Sequence, residues 1–239
     1  MDMIEDEVSL HPSSSPHHSP FAHGVAWSPM MLALVTTSAT LMLRSEPLRR
    51  PPPRSTVHMS ALTFEQAVET APKLCEALQQ GESPPTLTSF LGTSEGARGF
   101  FVHWLTRDDW ARADEETPPA ALQVALEGAP QEVADVMVMN VIMATATAIY
   151  HRRAGRRDQA DMSQRTATRA KLLVRALRER VPTLGTAVLG VRAALSTDEE
   201  KKKLMGVDAE TEDAWLVFLQ RWMWDDEQLE RIAECMEQC

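Results

Sequence analysis

Few side chains in this sequence have the types and spacing that chemistry requires. Downstream of residue 60 there are two histidines, His103 and His151. His103 lies in the run GFFVHWL, among aromatic residues, where a neutral imidazole could serve as an axial ligand to the metal of a tetrapyrrole. His151 follows the most apolar run of the chain, and Asn140 interrupts that run. A pocket built from His103, Asn140 and His151 would bind a small molecule or pigment, or house the acid–base groups of an enzyme. Plainer readings stand beside these. A histidine among aromatic rings is ordinarily a packed, hydrogen-bonded one, a cation suits a helix C-terminus, and a buried Asn needs a hydrogen bond that can simply fix helix register.

The remaining candidates carry less. The acids Asp108, Asp109, Asp114, Glu115 and Glu116 do not follow the spacing of a calcium loop and read as solvated. Cys75, Cys235 and Cys239 cannot all pair in one monomer and do not make a zinc-ligand quartet. Cys235 and Cys239 stand four apart and could form a redox pair or an intermolecular link, although inert thiols are the simpler reading. No nucleophile elbow, phosphate-binding glycine loop or metal-ligand quartet is present. The sequence therefore leans away from catalysis, with no metal expected.

Charge is the feature furthest from random. Between His151 and Arg180 ten basic residues face three acids, a balance of +7, whereas residues 60–150 carry −9 and residues 181–239 carry −7. Arg152, Arg153, Arg156, Arg157, Arg165, Arg169 and Arg175 thus form a basic hairpin on an acidic protein. Half of the expectation is bland: these arginines pair with the protein's own acids. The other half is a docking surface for an acidic protein or an anionic membrane surface. Nucleic acid fits poorly, because the overall charge is −10 and stacking aromatics are missing between the arginines. Peripheral RNA binding by the hairpin is retained as the weakest alternative. A second docking candidate is Val217 with Trp224, which a continuous terminal helix would place opposite its apolar stripe, beside Arg221.

The elements that must position these groups read as helices. Thr63 and Gln66 make a capping box ahead of apolar residues at 3–4 spacing, and Gly81 ends that helix. Short helices follow around PTLTSFLG, from Ser94, and from Pro118–Pro119 to Gly128. Pro130 opens a helix apolar on nearly every face from Val136 to Tyr150, which suits the buried centre of a bundle. Gly155 turns the chain into a long helix over about Arg157–Arg180, then come TAVLGVRAAL, EEKKKLM and a final helix over about Thr211–Glu237. No strand shows convincing alternation. The fold expected is all-α, an orthogonal bundle of six to eight helices occupying residues 60–239.

Residues 1–59 read as a disordered or cleaved leader. Met30–Leu43 carries no charge and resembles a signal-peptide core, while residues 44–59 hold Arg44, Arg49, Arg50 and Arg54 against one acid, Glu46. This tandem resembles the bipartite plastid presequences of algae with complex plastids, and VHMSA is similar to their cleavage neighbourhood. A short basic stretch should precede such a core; residues 1–29 are instead acidic and polar, and are expected to be a gene-model extension ahead of a start at Met30 or Met31. A mitochondrial leader, or a membrane anchor over Val25–Leu43, is the alternative. Asn140–Val174 is similar to uncharacterised helical proteins of cyanobacteria and plastids, a resemblance that implies a compartment and no activity. The expectation is a non-catalytic interaction protein, a peripheral subunit or assembly factor of a photosynthetic, thylakoid-associated plastid complex. The alternative is a tetrapyrrole-binding or small-molecule-binding helical protein, or an enzyme.

Overall fold

The computed structural model describes residues 62–239, and the expected leader lies outside them. Among the described residues the regular structure is helical throughout: α1 (Phe64–Gln79), α2 (Leu87–Leu91), α3 (Ser94–Trp104), a 3-10 turn (Ala111–Asp114), α4 (Ala120–Leu126), α5 (Gln131–Arg153), α6 (Arg157–Leu177), α7 (Pro182–Leu195), α8 (Glu199–Met205), α9 (Ala209–Arg221) and α10 (Asp226–Glu237). An all-α bundle is therefore what forms, with more and shorter helices than expected.

Local signals explain most boundaries. The Thr63 hydroxyl accepts from the Gln66 N–H at 3.3 Å, while the Gln66 side chain accepts from the Thr63 N–H at 3.0 Å, so two of the free donors at the start of α1 are satisfied. Pro182 stands at the first position of α7, where its missing N–H has no intrahelical partner to lose. The terminal helix expected as one piece is two. Met223 adopts a left-handed backbone, φ 48°, and Asp225 with Gln228 forms a second capping box that starts α10. The D-x-x-Q pattern at Asp225–Gln228 marks this start in the sequence, although the apolar stripe runs on across the bend.

The centre is α5, buried from Val133 to Ile149 except at half-buried Asp135, Met139 and Asn140. It is long and apolar enough to cross a membrane by composition, yet 78% of its most apolar window is buried inside the bundle, as a central helix requires. Only Ala154–Arg156 separate α5 from α6, so α6 returns along α5 as an antiparallel hairpin. Gly155 (φ 70°) and the bond from the Arg156 N–H to the His151 carbonyl, 2.9 Å, form the turn. α3 and α7 also pack on α5, α1 packs on α3, α9 on α7, and α10 closes over α5 and α7. Glycine permits the tightest of these approaches: a β-carbon at Gly190 would lie 2.6 Å from the Trp215 ring.

Candidate functional site

The arginines of the hairpin divide into two groups. Those along its shaft are matched by the protein's own acids. Arg169, 2% exposed, donates Nε to Asp114 Oδ1 and Nη2 to Asp114 Oδ2, both at 2.7 Å, and Nη1 to the Arg107 carbonyl at 2.7 Å. Arg165 pairs with Asp108, and Arg175 Nη2 reaches Glu116 Oε1 at 3.3 Å. The acids expected to be solvated thus include three counter-charges that clip the segment after α3 onto α6. The Arg169 guanidinium holds the Asp114 carboxyl below the usual carboxylate range, against the opposing effect of burial. Arg153 pairs with both Asp225 and Glu227 at the start of α10.

The second group sits at the tip. Arg152, Arg156 and Arg157 are exposed, and among the described residues none has a carboxylate within ion-pair distance. The Arg156 guanidinium lies 5.9 Å from the centre of the Tyr150 ring, which is itself exposed. Of the seven arginines read as partner-binding, then, Arg153, Arg165, Arg169 and Arg175 have carboxylate partners, with Arg153 and Arg175 still exposed, and Arg152, Arg156 and Arg157 are left without one among the described residues. The pairing of Arg169 with Asp114 spans 55 residues of chain. No local pattern announces it.

The Val217–Trp224 face does not form as one helical surface, because the chain bends between them at Met223. Val217 is 58% exposed on α9. Trp224 is half-buried after the bend, stacked on Trp222 at 6.3 Å and 12°, and in a T-shaped contact with Phe218 at 6.1 Å.

Of the three residues of the expected pocket, Asn140 and His151 stand apart on one helix. Asn140 donates its side-chain amide to the Val136 carbonyl one turn back, 2.8 Å, and so is satisfied by its own helix. His151 lies eleven residues further along α5, about 16 Å along the axis at 1.5 Å per residue. It is buried at the end of α5, its Nδ1 without a partner, and burial followed by the nearby Arg156 charge lowers its pKa. His103 belongs to α3, and neither ring nitrogen has a hydrogen-bond partner. Burial, then the charge of Arg107, lowers its pKa. Its ring stands near the Val68 backbone of α1. Pro72, inside α1, has no N–H to offer Val68 four residues back, so His103 faces a carbonyl that its own helix leaves free.

The cavity beside Trp104, Ala113, Arg169 and Leu173 holds about 10 Å³, room for a single water. Among the described residues no group of three His, Cys, Asp or Glu side chains is placed to hold a metal ion. Burial pushes the Cys75 thiol far up and the Cys239 thiol to about 12, so neither is a ready nucleophile at neutral pH. What the arrangement offers is a rigid basic tip.

No curated protein and no solved structure matches the chain. The family described as Uncharacterised conserved protein UCP020893 matches residues 63–239, from the Thr63 cap of α1 through the last residue. That match takes in every helix of the bundle and most of the chain, and the protein belongs to this family.

Proposed function

We propose that this is a non-catalytic interaction protein, a peripheral subunit or assembly factor that docks on a larger plastid complex through the tip of the α5–α6 hairpin. The observation that carries the reading is the division of the arginines: the shaft residues are paired with the protein's own acids, whereas Arg152, Arg156 and Arg157 are exposed with no carboxylate partner among the described residues. Exposed guanidiniums on a rigid hairpin suit planar, bidentate recognition of carboxylates or phosphates. The plastid, thylakoid-associated setting is supported by the leader features, an uncharged core at Met30–Leu43 followed by an arginine-rich, acid-poor segment.

The test is the size and composition of the particle that holds the protein after gentle solubilisation of the organelle's membranes. Co-migration with a large pigment–protein assembly is expected. Reversing Arg152, Arg156 and Arg157 together to Glu should release the protein without unfolding it, since among the described residues none has a carboxylate partner to lose and Arg156 gives up only an exposed contact with the Tyr150 ring. Migration of the wild type as a particle of its own small mass would remove the subunit reading. Unchanged association of the reversed protein would remove the tip as the contact.

A further inference from the structure

The bend between α9 and α10 sets an exposed apolar side chain on a left-handed backbone, one residue past the C-cap Trp222 of α9. Met223 has φ 48°, in the left-handed region where a β-carbon is unfavourable and glycine is the comfortable residue. Its side chain is 89% exposed, so it contributes next to nothing to the core that could offset that strain. The bend is flanked by an aromatic cluster: Trp222 and Trp224, its neighbours, stack on each other and both meet Phe218 in T-shaped contacts, and Phe218 in turn meets Trp215 at 5.6 Å.

This bend and the basic tip lie at the same end of the molecule. Arg153 bridges them, its guanidinium reaching Asp225 and Glu227. Met223 is two residues from Asp225, and Arg156 three from Arg153, so each lies within about 7–11 Å of chain from that bridge. One end of the protein therefore combines a projecting apolar side chain, the half-buried indole of Trp224 and three guanidiniums that have no carboxylate partner among the described residues, while the Trp222 N–H is buried.

We infer that this end binds an anionic lipid surface: Met223 enters the acyl layer, Trp224 lies at headgroup level, and Arg152, Arg156 and Arg157 hold lipid phosphates. The inference rests on the docking role of the tip and assigns that role a partner. A lone protruding methionine needs a matching groove on a protein partner, but none on a bilayer. Indoles settle at the membrane–water boundary, where one edge is apolar and the other wet. The combination of an apolar anchor with basic side chains is the two-part signal that reversible membrane attachment needs. Exposed Asp158, Asp161 and Asp226 near the same end keep the attraction weak and sensitive to salt.

The experiment is co-sedimentation of the full chain with phosphatidylcholine vesicles, with and without phosphatidylglycerol, at low and at moderate salt. Wild type should prefer the anionic vesicles and release from them as salt rises. Met223→Gly should weaken partition about tenfold or more, the loss expected for one buried apolar side chain, and Met223→Asp further still. Met223→Gly should also unfold at or above the wild-type temperature, because it relieves the left-handed backbone, which separates a binding defect from a folding one. Arg152→Gln, Arg156→Gln and Arg157→Gln together should abolish the preference for phosphatidylglycerol. Absence of vesicle binding at low salt, or binding that all these variants retain, would overturn the inference. If vesicles are ignored while tip reversal still releases the protein from its complex, the partner is a protein and only the lipid assignment fails. If vesicle binding follows Met223 and the arginines but complex association ignores the tip, the lipid face stands and the docking reading falls.

Discussion

Arg169→Met separates a structural arginine from a docking one, and its effect can be worked from the geometry. The guanidinium is buried and joins α6 to two stretches that are far away in the chain: the Asp114 carboxylate through two bonds of 2.7 Å, and the carbonyls of Arg107 at 2.7 Å and Trp104 at 3.5 Å. Methionine keeps much of the packing volume of the stem and removes all of these donors. Breaking a buried, hydrogen-bonded charge pair costs about 3–5 kcal/mol. The Asp114 side chain is 54% exposed and can rehydrate, which places the expected loss at the lower end, about 3 kcal/mol. For a domain of this size that corresponds to a fall in Tm of about 6–12 °C. Thermal and urea unfolding followed by circular dichroism would measure it. Asp114→Asn supplies the pH control. Because Arg169 lowers the Asp114 pKa in the folded protein, the stability from the charged pair is present above the unfolded carboxylate value and disappears as pH falls through the folded one. The gap between wild type and Asp114→Asn should therefore close in strong acid. An Arg169→Met protein as stable as wild type that had nonetheless lost its partner would refute the internal assignment of this residue.

Two further predictions concern the packing that supports the hairpin. Burial raises the Asp135 carboxyl to about 6, opposed by the hydrogen bond from Gln131 and assisted by Glu132. A folded pKa above the unfolded one means that stability is lost as pH rises from the unfolded carboxylate value through the folded one, so Asp135→Asn should gain up to about 3 kcal/mol near pH 8, about half of that near pH 5 and little near pH 3; an advantage that does not grow with pH would contradict this. Gly190→Ala puts a β-carbon 2.6 Å from Trp215 Cδ1 and 2.9 Å from Thr211 Cγ2 and should destabilise by about 1–3 kcal/mol, with a changed near-UV tryptophan signal. The same change at Gly128, where a β-carbon meets nothing within 4 Å, should be nearly neutral.

How far the residues announced this structure depended on the range of the interaction. The Thr63–Gln66 capping box, the proline at the head of α7, the all-round apolar α5 and the Gly155 hairpin are contacts within one or two turns of chain, and periodicity and capping patterns record such contacts directly. The split of the terminal helix was also local. The Asp225–Gln228 box marked it, but an apolar stripe running through Trp222 hid the left-handed Met223 that interrupts it. Within the pocket expected of His103, Asn140 and His151, two members stand apart for a different reason. Helical spacing places Asn140 and His151 far apart on one rod, and Asn140 found its acceptor on its own helix, so composition suggested a gathering that the axis forbids.

By itself the sequence determined that residues from 63 onward form helices, that one of them is buried on all sides, and that a basic hairpin interrupts an acidic protein. These follow from side-chain type and short-range spacing, which survive without any knowledge of packing. Which arginines face solvent could be decided only by the tertiary structure. Asp108, Asp114 and Glu116 meet Arg165, Arg169 and Arg175 only after α3, the 3-10 turn and α6 have packed, and Arg153 brings the Met223 bend to the hairpin tip only through α10. Charge pairing between segments some fifty to seventy residues apart is set by where packed helices end, and no local pattern encodes that position.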